Sequence, residues 1–447
     1  MDGCVAVLDV GKTNAKLIAF SPDGKTLGQL RHPQQVVIQD GLRVLDVDGI
    51  ANWLEGALAE LRARLNVGGV MISTHGCACA LIADDGSLAA PILDYEQEFP
   101  AEANAEFARL APPFSETYTP DLPGGLNFAR TLFFQEWADP TLARRARHIL
   151  TYPQYWVWRL CGGLASEISF LGCHSHMWRP LAGRFSSLAV ARGWAEKFPP
   201  LRPAGALVGE RDGLRIHNGV HDSNAAFYFY RSLGFADFAL ISSGTWVIIF
   251  NPDCPLDRLD PKRDMLANVT VDGEPVATIR FMGGREYDVI SDQARNEVSE
   301  AALMQAIAGD QMALPSFAAG GPYPTRQGRL VGPPAPTAPE RAAIATLYVA
   351  MMMARSLDLV GSSHDLIVDG GLANNLALCA ALAALRPGQR LYRNTDAEGT
   401  AMGAAALAYR ALGRTSVFPR QVESVEPWAP PGLADYYARW LERVEQR

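Results

Sequence analysis

Apolar and polar residues alternate near the start of the chain in a way that predicts a β-hairpin. Apolar runs at 5–8 and 15–20 flank a polar, glycine-containing turn at 9–14, which is the usual pattern of two paired strands. Apolar residues then recur at helical spacing and predict an amphipathic helix over about 48–66. The short apolar run 70–73 follows and predicts a buried strand.

The pattern of strand, glycine turn and strand returns in the second half, after a candidate boundary at 231–238. Residues 239–250 predict two β runs around Gly244, and 240–244 can be laid against 7–11. We therefore expect one fold that is used twice.

Strands and helices alternate along the rest of the second half, which indicates an α/β fold class. The predicted elements are a helix over about 339–360, a strand at 366–369, a helix through about 386, a strand at 391–392 and a small-residue helix from about 398. Between the first strands and the boundary, the stretch 100–200 is predicted to be mainly helical.

Composition narrows the class of protein. The chain has 447 residues, which allows two or three domains. Its net charge of 40 − 48 = −8 argues against a nucleic-acid or anionic-membrane partner. The sequence shows neither an apolar run near the roughly 20 residues that span a bilayer nor the basic leader of a signal peptide. The seven cysteines are scattered without a CxxC pair, so we expect a reduced, cytoplasmic protein. A homodimer is an expectation that the sequence leaves open.

The turn of the first hairpin contains Gly11, Lys12 and Thr13, which invites comparison with a P-loop. That motif needs a glycine five positions before Gly11, where this chain has Ala6. It also needs a helix after the loop, whereas a β run follows here. The sequence therefore excludes a P-loop.

A different phosphate site fits the two hairpins better. Glycine turns from two halves of a protein can present backbone N–H groups to a triphosphate. Asp9 at the end of a strand is a natural Mg²⁺ partner. Lys12 and Lys16 add positive charge, and Thr245 in the second hairpin adds a hydroxyl. The alternative, two unrelated hairpins with turn glycines, stays open on composition alone.

Two further motifs have both a structural and a functional interpretation. Asp222 precedes an apolar helix, and the local sequence favours a helix cap. It could also be the general base that takes a proton from an attacking hydroxyl. Gly370 and Gly371, ahead of Asn374, would permit close approach of a flat ring, or they form an ordinary strand-to-helix turn.

Taken in order, these motifs resemble the FGGY family of carbohydrate kinases, from residue 5 to about 410. The resemblance is carried by several short segments that follow one another in the family's order. They are Asp-Val-Gly-Lys-Thr at 9–13, Tyr-Trp-Val-Trp-Arg-Leu-Cys-Gly-Gly at 155–163 with Glu167 and Ser169, Gly-Val-His-Asp at 219–222, Ser-Ser-Gly-Thr at 242–245, Asp-Gly-Gly at 369–371 with Asn374, and Met-Gly-Ala-Ala-Ala at 402–406.

The resemblance implies two actin-like (ribonuclease H-like) domains with ATP in the cleft between them. Residues 1–232 would carry the sugar site and the catalytic base, and 233–447 would bind the nucleotide. The resemblance also implies that Asp222 takes the proton from a sugar hydroxyl, which attacks the γ-phosphate, and that Asp9 organises Mg²⁺. The residues expected to hold the nucleotide are Gly11, Lys12, Thr13, Asn14, Lys16, Gly244, Thr245, Gly370, Gly371 and Asn374.

The sugar side departs from the common family pattern. Residues 73–76 (Ser-Thr-His-Gly) stand where the family often has Gln-Met-His-Gly, and its Trp-x-Asp-x-x-Arg is not visible at 91–97. Members acting on L-fuculose and L-rhamnulose look closer, but their Gly-Val-Asp corresponds to Gly-Cys-Ala at 76–78. The cluster 281–286 could approach either ligand or be only a turn. The candidate substrate residues are Thr74, His75, Gly76, Asp94, Tyr95, Glu96, His221 and Asp222.

The sequence thus predicts an ATP-dependent kinase of a small ketose, with an L-fuculose-like or L-rhamnulose-like substrate favoured. A ketopentose or polyol, such as xylulose, ribulose or glycerol, is the alternative substrate. A non-catalytic, sugar-sensing protein of the same fold is an alternative from another class. An actin-like chaperone ATPase is less favoured, because the chain shows no peptide-binding domain after the two halves.

Overall fold

The computed structural model describes residues 3–294, 298–335, 337–396, 398–414, 418 and 422–446. The strands are β1 Cys4–Val10, β2 Asn14–Phe20, β3 Thr26–Pro33, β4 Val36–Gln39, β5 Leu42–Leu45, β6 Val67–Thr74, β7 Cys79–Ala83, β8 Leu88–Ala90, β9 Ala146–Thr151, β10 Trp178–Arg179, β11 Arg184–Phe185, β12 Leu207–Arg211, β13 Leu214–His217, β14 Val220–His221, β15 Phe238–Ser243, β16 Val247–Asn251, β17 Met265–Val269, β18 Pro275–Phe281, β19 Met312–Leu314, β20 Arg329–Val331, β21 Asp365–Gly370, β22 Leu391–Asn394 and β23 Val422–Ser424. The helices are α1 Val47–Arg64, α2 Ala101–Leu110, α3 Phe114–Thr117, α4 Phe128–Ala138, α5 Leu142–Arg145, α6 Tyr152–Cys161, α7 Ile168–Leu171, α8 Ser187–Ala191, α9 Asp222–Ser232, α10 Gly283–Ser291, α11 Glu300–Ala308, α12 Ala338–Leu359, α13 Leu376–Leu385, α14 Gly399–Ala411 and α15 Leu433–Glu445.

The chain forms two compact units that are not continuous in sequence. The first unit comprises Met1–Phe235, Ala267–Pro275 and Glu398–Arg420. The second comprises Ala236–Leu266, Val276–Ala397 and Gln421–Arg447. The sequence predicts that 1–232 carries the sugar site and the catalytic base and that 233–447 binds the nucleotide; this assignment stays a prediction.

The first unit is built on a mixed sheet in the order β12-β13-β6-β1-β2-β3, with β14 also beside β6. Strands β1 and β2 form the predicted antiparallel hairpin, and β6 runs parallel to β1. Helix α1 covers this sheet with Ile50, Leu54 and Leu61, which recur at helical spacing and are buried. Asp46 caps the helix by accepting a 2.8 Å hydrogen bond from the Gly49 amide. The predicted helix at 48–66 and strand at 70–73 are therefore confirmed.

The middle of the first unit contains the predicted helices and three strands that the sequence analysis missed. Helices α2 to α8 lie between 101 and 191, but β9 and the short pair β10 and β11 interrupt them. Strand β9 pairs antiparallel with β7, which also pairs with β8. It was missed because its short run, Ala-Arg-His-Ile-Leu-Thr, has no clear alternation and directly precedes α6.

The second unit repeats the strand arrangement of the first. Strands β15 and β16 form an antiparallel hairpin, and β21 runs parallel to β15. The expectation that one fold is used twice is confirmed by this pairing. Among the described residues, α12 alone is long and apolar enough to cross a membrane, but 83% of its most apolar window is buried inside the protein. It is therefore a core helix, and a capping box between Thr337 and Glu340 fixes its start.

Candidate active site

The carboxyl ends of three neighbouring strands bring the predicted catalytic residues of the first unit to one edge of its sheet. Thr74 at the end of β6 lies opposite Val10 of β1 and opposite His221 of β14. Both pairings are parallel, so the turns that follow the three strands leave the sheet together. Residues far apart in sequence, such as Asp9 and Asp222, thereby share one edge.

Asp222 does not cap a helix, contrary to the local interpretation of the sequence. It is the first residue of α9, and the preceding His221 occupies the cap position without a side-chain cap bond. The Oδ1 atom of Asp222 accepts hydrogen bonds from the Ser223 amide (2.5 Å) and the Ser223 hydroxyl (3.1 Å). Its side chain is 30% exposed, so the carboxylate is held in place and is still accessible.

Asp9 is a buried carboxylate at the same edge. Burial raises the pKa of Asp9 to about 7, and the positive charge of Lys16, its strand partner, opposes that rise. The negative charges of Asp222 and Glu398 raise the pKa further. Asp9 therefore lies in a negative environment that a cation would relieve.

The donor set suits Mg²⁺ better than a closed metal cage. In the described part of the chain, no group of three or more His, Cys, Asp or Glu side chains is arranged to hold a metal ion. Mg²⁺ commonly keeps several waters and binds one or two carboxylates together with phosphates. The buried Asp9 carboxylate, with Asp222 near enough to raise its pKa, fits that mode.

Both lysines that were predicted to bind phosphates are directed at carboxylates in this structure. Lys16 Nζ lies 2.8 and 3.1 Å from the two carboxylate oxygens of Glu398. Lys12 pairs with the wholly buried Asp94 and lies 3.5 Å from Glu96. Their contact with a nucleotide stays a prediction.

Lys12 also organises the residues after β8 that were predicted to bind substrate. Its ammonium lies 4.3 Å from the centre of the Tyr95 ring, within cation–π range. Asp94 Oδ1 accepts the Glu96 amide at 2.8 Å, and Arg43 contacts Glu96 at 3.3 Å. Arg43 was not predicted from the sequence.

His75 presents a free acceptor at this edge. Its Nδ1 lies 2.8 Å from the Gly76 carbonyl and must donate to it, because a carbonyl only accepts. Burial lowers the pKa of His75, so the ring is neutral near pH 7 and Nε2 keeps its lone pair. Within the residues that the structure describes, the buried Nε2 has no hydrogen-bond partner, and neither does the hydroxyl of Tyr152. The centres of the His75 and Tyr152 rings are 5.1 Å apart. Tyr152 was missed by the sequence analysis.

Thr74 and Gly76 are committed to local contacts. The Thr74 hydroxyl donates to the His75 carbonyl at 2.9 Å. A Cβ on Gly76 would lie 2.9 Å from Nε2 of His221, so glycine leaves the room that this ring needs. Their predicted contacts with substrate stay predictions.

The turn of the first hairpin places the remaining predicted residues of this unit. The Gly11 amide donates to the Asn14 carbonyl at 3.0 Å, which closes the turn. The Asn14 side chain donates to the Thr13 hydroxyl at 3.1 Å, and both side chains are exposed.

The second unit brings its predicted nucleotide residues to the matching edge of its own sheet. Ser243 and Gly370 are parallel partners at the ends of β15 and β21, so Gly244 and Thr245 lie beside Gly370. Gly370 has φ +85°, and a Cβ there would lie 1.9 Å from the Ser243 carbonyl oxygen, which only glycine avoids. Gly371 and Asn374 are the two exposed residues of a short 3₁₀ turn, Gly371–Asn374, whose middle residues Leu372 and Ala373 are buried.

The cluster 281–286 joins the end of β18 to the start of helix α10 and is not merely a turn. A Cβ on Gly284 would lie 2.0 Å from the Gly244 carbonyl oxygen, so this glycine lets the helix pack directly on the second hairpin. Glu286 is buried and accepts hydrogen bonds from the Phe317 amide (2.8 Å) and the Tyr348 hydroxyl (2.9 Å). The cluster therefore supports the hairpin from within the second unit.

Comparison with known proteins agrees with this geometry. Residues 235–416 match the family model described as "Carbohydrate kinase FGGY, C-terminal domain". A solved carbohydrate kinase from Novosphingobium aromaticivorans is 33% identical over 99% of both chains, with a TM-score of 0.88. The chain belongs to the FGGY family of carbohydrate kinases. It is thus an ATP-dependent carbohydrate kinase with the two-domain, actin-like fold that the sequence predicted.

Two more distant structures share the fold of this FGGY kinase. The ligand-bound xylulose kinase from Lactobacillus acidophilus is 13% identical over 99% of this chain and 96% of its own, with a TM-score of 0.80. The Plasmodium falciparum glycerol kinase with ADP is 12% identical over 99% and 98%, with a TM-score of 0.79. A search of the curated proteins finds no match.

Proposed function

We propose that this FGGY kinase transfers the γ-phosphate of ATP to a hydroxyl of a small, neutral ketose, with Asp222 as the general base. The observation that carries the proposal is the accessible Asp222 carboxylate, held at the start of α9 on the same sheet edge as Asp9 and His75. A hydroxyl is a weak nucleophile, and a carboxylate in hydrogen-bond reach can take its proton as the new O–P bond forms.

The proposal assigns ATP binding to the glycine turns. In the second unit, Gly370 lets the backbone turn closely, and the exposed Gly371 and Asn374 border the nucleotide. The Gly244 and Thr245 turn offers a hydroxyl and backbone donors to phosphate oxygens. Asp9 would hold Mg²⁺, which when bound neutralises phosphate charge.

The residues around His75 form the proposed sugar subsite. His75 Nε2 is an acceptor, the Tyr152 hydroxyl can donate, and the Asp94 carboxylate is a second acceptor. Buried polar atoms without partners favour a ligand that supplies hydroxyl groups, because an analogue that lacks a hydroxyl leaves them unpaired. This arrangement supports a polyhydroxylated, uncharged substrate.

An L-fuculose-like or L-rhamnulose-like ketose is the favoured substrate, on the sequence resemblance. A ketopentose or polyol such as xylulose, ribulose or glycerol is the alternative, and solved xylulose and glycerol kinases of the same fold support keeping it. A homodimeric state and a cytoplasmic location are part of the same proposal.

A panel of ketoses and polyols in a coupled ADP-release assay tests the proposal. We expect one sugar to raise ADP release well above the ATPase background. Asp222→Asn should lower kcat roughly 10²–10⁴-fold, the usual worth of a placed general base. Asp84→Asn is the matched control, because Asp84 is 87% exposed, and it should leave kcat unchanged.

Two outcomes would contradict the proposal. Full turnover in Asp222→Asn would remove the base assignment. Binding of a sugar without ADP release would instead favour the non-catalytic, sugar-sensing alternative.

A further inference from the structure

His221 lies between two polar side chains of the proposed site and is itself 4% exposed. Its Nδ1 atom is 2.9 Å from the side-chain amide nitrogen of Asn224, one turn into α9. Its Nε2 atom is 3.3 Å from Oδ1 of Asp222. Each ring nitrogen therefore has a defined polar neighbour.

These neighbours determine the tautomer of the ring. An amide nitrogen only donates, so Nδ1 of His221 accepts from Asn224 and carries no proton. Burial also lowers the pKa of His221, which keeps the ring neutral near pH 7. The single ring proton is then on Nε2, which lies 3.6 Å from the Cys173 sulfur and 3.3 Å from Oδ1 of Asp222.

Nε2 of His221 approaches one oxygen of Asp222 as an electrostatic contact at 3.3 Å, without the geometry of a hydrogen bond. Oδ1 already accepts the Ser223 amide and the Ser223 hydroxyl. In the part of the chain that the structure describes, no donor lies on Oδ2. The two carboxylate oxygens thus have different surroundings, and Oδ2 is left for the substrate.

The environment of the ring is built to keep this orientation. Phe170 packs against it at a right angle, with ring centres 5.9 Å apart. The Cys173 thiol lies 3.6 Å from Nε2, and Gly76 leaves the space that a Cβ would take from the ring. The charge of Asp222 acts in turn on Asp9, His75 and Tyr95, whose pKa values it raises.

We propose that His221 is a positioning residue, not a substrate contact: Asn224 fixes its Nε2–H tautomer, and the positive end of that N–H dipole, close to Oδ1 of Asp222, orients the carboxylate so that Oδ2 takes the proton of the sugar hydroxyl. The inference rests on the proposed role of Asp222 as base. It differs from the sequence-based expectation that His221 contacts the sugar. A small displacement of a reacting group lowers kcat and leaves substrate affinity unchanged, whereas loss of a substrate contact raises KM. The two roles of His221 therefore predict different changes in kcat and KM.

Steady-state kinetics on the full-length enzyme separates these roles, with ATP and whichever of L-fuculose, L-rhamnulose, xylulose or ribulose the wild type phosphorylates. His221→Phe keeps the ring shape and removes both nitrogens, and we expect kcat to fall about 10–100-fold with the sugar KM within about 3-fold. His221→Gln can return an N–H toward Asp222, and it should restore kcat to within about 5-fold of the wild type. His176→Phe is the matched control, since His176 is 3% exposed and its ring centre is also 5.9 Å from a phenylalanine ring; it should leave kcat per folded enzyme unchanged.

A rise in sugar KM with kcat retained in His221→Phe would overturn the positioning role and support a substrate contact. An unchanged kcat would overturn it as well. Asp222→Asn, measured alongside, keeps the two hypotheses apart. Loss of turnover in Asp222→Asn with full turnover in His221→Phe rejects only the positioning role, whereas full turnover in Asp222→Asn rejects the base.

A measurement on the wild type covers the case in which His221→Phe does not fold. In protein labelled with ¹⁵N-histidine, long-range ¹H–¹⁵N correlation reports which ring nitrogen carries the proton. The His221 signal is the one that shifts in Cys173→Ser, a near-isosteric change 3.6 Å from the ring. We expect the proton on Nε2, and a proton on Nδ1 would overturn the proposal.

Discussion

The two units use the same arrangement of strands, but the acid and the serine at the end of each sheet lie on opposite strands of the pair. In the first unit Asp9 on β1 lies opposite Ser73 on β6. In the second unit Ser242 on β15 lies opposite Asp369 on β21. The acid is therefore on the hairpin in one unit and on the neighbouring parallel strand in the other.

The turns that follow these strands are also fixed in different ways. In the first unit the His75 amide donates to the Val10 carbonyl at 2.9 Å, and the side chains remain available. In the second unit the Leu372 amide donates to the Ser243 hydroxyl at 3.1 Å, and Gly370 adopts φ +85°. The sheet edge of the first unit therefore offers side chains to a ligand, whereas the sheet edge of the second unit offers backbone groups.

The largest effect that we expect from this difference is the pH dependence of stability due to Asp9. Its pKa is about 7 in the folded protein against an ordinary 3.8, so the folded state binds this proton more tightly than the unfolded state. The contribution to stability is complete below about pH 4 and is lost as pH rises through 7. Between pH 5 and 8 the wild type should lose about 2–3 kcal/mol of unfolding free energy from Asp9, at 1.36 kcal/mol per pH unit.

Asp9→Asn should remove that fall. Urea unfolding at pH 5 and pH 8, without ATP or Mg²⁺, measures it as the difference between variant and wild type. Asp369→Asn is the control in the other unit, and the fall should persist because Asp9 is still present. An equal fall in unfolding free energy between pH 5 and pH 8 in the wild type and in Asp9→Asn would contradict the prediction, because Asp9 would then not be the source of the pH dependence.

The next effect concerns the glycine turn of the second unit. Gly370→Ala places a Cβ 1.9 Å from the Ser243 carbonyl oxygen at a positive φ, and we expect a loss of roughly 2 kcal/mol in unfolding free energy. Gly371→Ala, one residue on, meets no atom within 4 Å and should change stability by less than about 0.5 kcal/mol. Urea unfolding compares the two. Similar losses would mean that the turn has no special need for glycine at position 370.

The sequence predicted the strands and helices around both edges because hydrophobic period and turn residues are local signals. It also predicted Asp9 and Asp222, since each lies in a short motif at a strand end. The helix-cap interpretation of Asp222 was wrong because the helix begins at Asp222 itself, with His221 at the cap position. One residue of difference in a helix boundary changes what a side chain can reach.

The remaining site residues could not be predicted from local pattern. Glu398 pairs with Lys16 across 382 positions, and Tyr152 lies at the start of α6, just before the family segment 155–163 and outside it. Arg43 is an ordinary strand residue until β5 places it near Glu96. Such contacts follow from the tertiary fold, and nothing in the sequence near these residues indicates them.

The smallest effect that we expect tests the hydroxyl that joins the two strands of the second unit. Ser243 Oγ donates to the Asp369 carbonyl at 2.5 Å and accepts the Leu372 amide, so Ser243→Ala leaves a buried N–H and a buried carbonyl with one partner fewer. We expect a loss of about 1–2 kcal/mol in unfolding free energy. Ser356→Ala is the matched control, because Ser356 is also buried in the same unit and its hydroxyl has no hydrogen-bond partner among the described residues. It should cost less than about 0.5 kcal/mol by urea unfolding. The first unit has Val10 at the position of Ser243 and closes its turn through backbone hydrogen bonds alone. An equal loss of unfolding free energy in Ser243→Ala and Ser356→Ala would mean that the Ser243 hydroxyl does not stabilise the turn of the second unit.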